Sequence, residues 1–229
     1  MKNFWLLSFT LLVQLCYSQK NYDFDYILNF DKSISIKKNK EKDSAKTFLV
    51  NSSKNGYMMV LNNRDSSKYG ILFIDNDGIL INSTINKNSL NTAEKITTDC
   101  KNVKPFSNPF KFQVGNYEFV NLTDTIINNT SYYHYYIKCN RSLKYQKRKK
   151  IVAIHYIVDK SSPNFFPFLI HHTCYEEWKK ERNIPNGSPY IIYHKNVKGE
   201  ITYKMQLKSL VKIDKYLIVP DDCDYTKIE

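Results

Sequence analysis

The run His171-His172-Thr173-Cys174-Tyr175-Glu176-Glu177 gathers two imidazoles, a thiol and two carboxylates within seven residues. Such groups ligate zinc or form an acid/base pair. One reading is therefore a metal-assisted hydrolase using His171 or His172 with Glu176 or Glu177. The spacing argues against it. Neighbours in an extended segment point to opposite faces, so His171 and His172 reach one ion only across a bend. No His-Glu-x-x-His is present. The opposing reading is structural: the last turn of a strand, a disulfide cysteine and the cap of a helix, with Thr173 and Glu176 as a capping box. Cys174 beside His172 is not read as a nucleophile, because an oxidising compartment would pair a reactive thiol.

Two other groups carry chemistry. Lys144, Lys147, Arg148, Lys149 and Lys150 place five positive charges in seven residues. They form a basic surface patch suited to anionic head groups or acidic glycans, or a solvated hairpin tip that blunts a sheet edge. Cys100, Cys139, Cys174 and Cys223 are an even set with long spacings. They are disulfide candidates for two bridges, and three pairings are open. Asp75-Asn76-Asp77-Gly78 begins like a calcium loop, but Ile79-Leu80 returns at once to strand pattern. It reads as a turn. The sequence assigns no catalytic, cofactor-binding or metal-binding residue, and no cofactor.

The compartment follows from the N-terminus. Met1-Lys2-Asn3 is basic, Phe4 to Leu15 is apolar, and Cys16-Tyr17-Ser18 sets up a cut before Gln19. Residues 1–18 read as a signal peptide, leaving residues 19–229 as one β-rich domain. Cys16 raises the alternative of a lipidated anchor, although Leu15 before it is large for that processing. Export leaves the periplasm, the outer membrane or the exterior as destinations. It also removes nucleic acid as a partner, despite a formal charge of +12 from 34 basic and 22 acidic residues. No stretch after residue 18 approaches the ~18–20 apolar residues of a membrane-spanning helix. With 18 Tyr and 13 Phe the chain is too aromatic for a solvated coil.

The elements that must hold these groups are mostly strands. Tyr22, Phe24, Tyr26, Leu28 and Phe30 alternate with more polar residues, predicting a strand with one apolar face. Residues 37–46 are charged and loop-like. Strands follow at Phe48 to Val50 and Tyr57 to Leu61, with Asn55-Gly56 as the turn. Tyr69 to Ile74 and Ile79 to Ile81 flank the Asp75–Gly78 turn. A weak helix is expected near Leu90 to Ile96. Further strands are expected over Tyr117 to Leu122, Tyr132 to Cys139 and Ile151 to Val158. Tyr132 to Tyr136 is aromatic on both faces, as in a strand covered on both sides. Tyr175 to Arg182 is the clearest helix, with acids first and bases last. Tyr190 to His194 and Ile201 to Leu207 form a hairpin, and Tyr216 to Val219 a closing strand. There is no βαβ rhythm. The expected fold is mainly β: a curved antiparallel sheet or open half-barrel with one or two helices.

The segment from Asn183-Ile184-Pro185-Asn186-Gly187 through Tyr190–His194 and Ile201–Leu207 to Tyr216-Leu217-Ile218-Val219-Pro220 resembles the end of periplasmic lipoprotein-carrier (LolA/LolB-like) domains. The whole chain is similar in composition and leader to small exported proteins of the Bacteroidota. The carrier resemblance covers residues 183–220 and rests on topology. It implies a curved sheet whose concave side can hold an acyl chain. Three functions compete: a non-catalytic binding module for a lipid or other amphiphile, which we favour; the hydrolase above; and an envelope protein docking on an anionic component through its basic hairpin.

Overall fold

The structure is a computed structural model that describes residues 20–33, 45–223 and 225. The leader with Cys16, and residues 37–44 of the charged stretch, lie outside them. Thirteen strands form a single sheet. They are β1 (Lys20–Ser33), β2 (Lys46–Asn51), β3 (Lys54–Asn63), β4 (Lys68–Asp75), β5 (Ile79–Asn86), β6 (Lys95–Thr97), β7 (Val103–Pro105), β8 (Tyr117–Asn121), β9 (Thr125–Ile127), β10 (Thr130–Cys139), β11 (Ala153–Asp159), β12 (Ser188–Lys195) and β13 (Ile201–Val219). Three α-helices join them among the described residues, one more than expected: α1 (Lys87–Thr92), α2 (Leu143–Lys149) and α3 (His172–Glu181).

The order is β7-β5-β4-β3-β2-β1-β13-β12-β11-β10-β8, with β6 beside β13 and β9 beside β10. Among the described residues only β6–β13 is parallel; every other pairing is antiparallel. The ends β7 and β8 do not pair with each other, so the sheet stays open as expected. Its spine is β1 against β13, the pair that joins the N-terminal and C-terminal arms.

Strand side chains alternate between faces, and here both faces are buried. Phe48 and Val50 enter one core while Leu49, between them, enters another. In β3, Met58 joins the first core and Met59 and Leu61 the second. The first core lies on the face covered by α3, through Cys174, Tyr175 and Trp178, and by Phe165, Phe168 and Leu169. The second is closed by Leu90, Ile96, Val103 and Cys223. A buried side chain of this size contributes roughly 1.5–3 kcal/mol, so neither cover is incidental.

Strand β1 corrects the sequence reading. Its five aromatic and aliphatic residues do not share one face. Tyr22 and Phe24 point into the second core, Leu28 and Phe30 into the first. The pairing with β13 shifts between Phe24 and Tyr26. Across that irregularity β1 advances two residues while β13 advances three, Lys215 to Lys212, and the two halves of β1 face opposite cores. Four further corrections are local. The β2–β3 turn is at Ser52–Ser53, held by Asn51 Oδ1, which accepts from the Ser53 amide at 2.9 Å; Asn55-Gly56 lies within β3. Leu210–Asp214 and Tyr216–Val219 belong to the single strand β13. The weak helix near Leu90 stops at Thr92, and Ile96 is already in β6. Tyr132–Tyr136 is covered on one side only: Tyr135 is buried, while His134 and Tyr136 are half-buried on the other face.

Two more corrections bear on the site. The basic run is helical, not a hairpin tip. Ser142 caps α2, its Oγ accepting from the Tyr145 amide at 3.4 Å. Lys, Gln and Arg are good helix formers, and three bases in the last turn suit the helix dipole. The α3 cap is His171, with no side-chain bond, so Thr173 and Glu176 form no capping box. Glu176 is instead buried and accepts from Asn108 Nδ2 at 3.2 Å. Beyond α3, Gly187 sits at φ 151°, and a Cβ there would stand 2.3 Å from the Asp159 carbonyl oxygen. Only glycine lets the chain return this closely onto β11.

Candidate functional site

On the α3 face, the sheet end formed by β8 and β10 meets two helices and a loop. The gap between them is a groove of about 500 Å³, lined among others by Phe112, Tyr117, Tyr145, Lys149, Ile151 and His171. A second hollow of about 220 Å³ continues inward past Ile137, Lys150, Val152, Ile154 and Cys174. The two share Tyr117, Ile151, His171 and Thr173, and so form one continuous trough. Its inner part is walled by Ile137, Ile151, Val152 and Ile154, with Lys150, His171 and Thr173 among them. Its lip carries Phe110 and Phe112, with Phe112 78% exposed.

The charge at the site is one-sided. Among the described residues, no ion pair involves Lys144, Lys147, Arg148, Lys149 or Lys150. Arg148 does lie over the Tyr145 ring at 5.7 Å. The α2 cations are thus unneutralised beside an apolar trough, and Lys149 and Lys150 are part of its wall. The histidines add no charge at neutral pH. Burial, then His172 and Lys46, hold His171 below its ordinary range. Burial, then His171 and Lys46, lower His194 to about 4. Burial also lowers His172, opposed by Glu176.

The His171–Glu177 cluster is dispersed by the cap geometry. His171 turns toward His194, ring centroids 5.5 Å apart. His172 Nδ1 bonds Asn76 Oδ1 at 2.6 Å, and its ring packs on Phe106 at 4.9 Å. Glu176 serves Asn108, and Glu177 accepts from the Gly115 amide. Both glutamates are buried and tie the 108–115 loop to α3. Two imidazoles and two carboxylates that each hold a separate structural partner make no shared metal or acid/base centre. Cys174 is buried in the first core; burial pushes its thiol up to about 12, and Tyr156 Oη donates to it at 3.4 Å. That thiol is a poor nucleophile.

The four cysteines fall into two sets, all as thiols in this structure. Cys174 belongs to the first core. Cys139 is buried on β10, in step with Tyr135 and Ile137 of that core. Cys223 belongs to the second core, with Cys100 packed against it.

Sequence reasoning found the α2 cations and His171 but missed the trough. Phe110, Phe112, Tyr117 and Ile151 come from a loop, a strand and a linker far apart in the chain. The one local signal was Phe110-Lys111-Phe112, two aromatics in a loop punctuated by Pro105 and Pro109. Two buried polar atoms lack a partner among the described residues, Tyr135 Oη and His194 Nε2, and both belong to strands that line the first core.

No protein-family model matches the chain, and no curated protein does. Solved structures do. A chain of the Pseudomonas aeruginosa MucA/MucB complex aligns over 84% of this chain and 52% of its own, at 8% identity and a TM-score of 0.41. This chain therefore spans about half the length of that neighbour. The LolA-superfamily protein NE2245 from Nitrosomonas europaea aligns over 82% of this chain and 85% of its own, at 12% identity and a TM-score of 0.30. LolA-superfamily proteins are thus among the structural neighbours, by a weak resemblance that transfers no residue role.

Proposed function

We propose that the protein is an exported, non-catalytic binding module, residues 19–229 after loss of a leader, that holds an amphiphile with an apolar tail and an anionic head. The trough beside α2 carries this reading. Its walls at Ile137, Ile151 and Ile154 suit a hydrocarbon chain, and Lys149 and Lys150 stand beside them without a carboxylate partner. Apolar clefts with a few placed polar groups are the ordinary form of small-molecule sites. The test is native mass spectrometry of the mature protein with lysophosphatidylglycerol, a single-chain anionic amphiphile. One bound molecule per chain, weakened by Lys149→Ser with Lys150→Ser and abolished by Ile151→Lys, is expected. No adduct, for this probe or for material co-purifying from the native envelope, overturns the reading.

The α2 cations taken alone also favour docking on an anionic envelope surface. Ile151→Lys separates the two, since it fills the trough and keeps every positive charge. Salt-sensitive binding to phosphatidylglycerol vesicles that survives Ile151→Lys, without any adduct, would assign the docking role instead.

A further inference from the structure

We propose that Cys100 and Cys223 form a disulfide while Cys139 and Cys174 remain thiols. The inference starts from the one parallel pair in the sheet. Leu217 and Ile218 of β13 run beside Ile96 and Thr97 of β6, and the Thr98 amide donates to the Ile218 carbonyl at 3.4 Å. Both chains leave this pair in the same direction, and both then turn in a single 3-10 turn, Cys100–Asn102 and Asp221–Cys223. The turns close on Asp99 and Pro220, whose carbonyls accept from Asn102 and Cys223 at 2.9 and 3.1 Å. Chains that start as neighbours and bend alike bring their side chains together: the two sulfurs lie within 4.8 Å. A disulfide spans about 2.05 Å, and rotation about χ1 swings a thiol sulfur through about that difference.

Topology eliminates the pairings that join the two faces. Cys174 and Cys139 face the first core, Cys223 the second, and the sheet stands between. Bridges from Cys100 or Cys223 to either would have to pierce it. Within the first core, Cys174 already accepts the Tyr156 hydroxyl. Its burial opposes the thiolate that exchange needs. Cys100 is the partly exposed member of the four and the point of attack for an oxidant.

In forming the bond the two thiols give up two protons and two electrons, and the electrons reduce the disulfide of the oxidant to two thiols. Glutathione disulfide serves in the test, so the result does not depend on the export reading. Reduced mature protein is incubated with glutathione disulfide, alkylated and digested. The expected result is a mass lower by two hydrogens and one cross-linked peptide pair joining Cys100 to Cys223. Dithiothreitol should lower the melting temperature by roughly 4–16 °C, from the usual worth of a disulfide and the size of the chain. That shift should vanish in Cys100→Ser, a half-buried site that tolerates serine. A loss of four hydrogens, a link from Cys100 or Cys223 to another cysteine, or no link overturns the proposal. So does stoichiometric zinc retained by the reduced protein and lost in Cys100→Ser. Asp222 shares the 4.8 Å cluster, and a metal is the competing occupant.

Discussion

The two cores on opposite faces of one sheet are built differently. The second is aliphatic with edge-on aromatics: Tyr22 meets Phe73 at 4.5 Å and 60°, and Phe24 meets Tyr57 at 5.8 Å and 87°. Its hydroxyls reach polar partners at the rim, Tyr22 to Asp75 at 2.7 Å and Tyr57 to the Asp23 carbonyl at 2.8 Å. The first core mixes stacked tyrosines and a thiol, with His194 at its edge beside Tyr203, and Tyr135 Oη and His194 Nε2 have no partner among the described residues. A buried polar group without a partner costs about 1–3 kcal/mol. One face is packed for stability; the other gives up some of that stability beside an open trough. Binding sites are commonly drawn from the less optimised side of a fold.

The largest expected effect breaks the second core without touching the first. Phe73→Ala empties a fully buried position. It should cost about 3–5 kcal/mol in denaturant unfolding. Amphiphile affinity at a temperature where the variant stays folded should not change. A loss of affinity matching the loss of stability would show that the two faces are one unit.

Acid should act on the two arms of the sheet unequally, because the titrating histidines lie on its C-terminal arm: His194 on the first-core face, His155 on the opposite face beside His134 and Tyr136. Burial first, then His134 and Lys195, lower His155 to about 4; His194 lies at about 4 as well. Unfolded histidine titrates near about 6.5. Between these values the unfolded chain binds more protons than the folded one, so stability falls as pH drops from about 6.5 to 4. No histidine precedes residue 134, so β4 and β5 hold none. Hydrogen exchange at pH 4.5 should therefore speed up in β11 and β12 before β4 and β5. His155→Phe together with His194→Phe should flatten that dependence. Exchange that accelerates equally in all four strands would contradict the asymmetry.

Charge at the trough is a smaller effect. Lys149→Ser with Lys150→Ser should weaken an anionic amphiphile roughly tenfold, about 1.4 kcal/mol. The unfolding midpoint should barely move, because no ion pair among the described residues involves either lysine. An uncharged amphiphile of equal chain length should bind both forms alike. Smallest of all is Tyr135→Phe. It removes an unpartnered hydroxyl, so stability should hold or rise within about 1 kcal/mol. A clear loss would reveal that the hydroxyl has a partner, such as a buried water.

The strands were legible because alternation is local. Tyr69 to Ile74 and Ile79 to Ile81 pair as their pattern and the Asp75–Gly78 turn demand. Helix α2 was not, since Lys144 to Lys150 has no apolar period to betray it; only Ser142 and the helix propensity of Lys, Gln and Arg were there to read. The α3 start was misplaced because Glu176, which looked like a cap, is used by Asn108 across the fold.

By itself the sequence determined a mainly β chain, five cysteines of which four follow residue 18, and a basic segment. Those follow from residue type and from a period of two, which neighbouring residues enforce. Tertiary structure alone decided the rest. The register irregularity opposite Asp25, where β13 carries one residue more than β1, divides β1 between two cores. The parallel placement of β6 on β13 brings Cys100 to Cys223. The meeting of Phe112, Tyr117, Tyr145, Ile151 and His171 makes the trough. Each depends on which distant strands pair, and that is settled by how the whole sheet buries two faces at once.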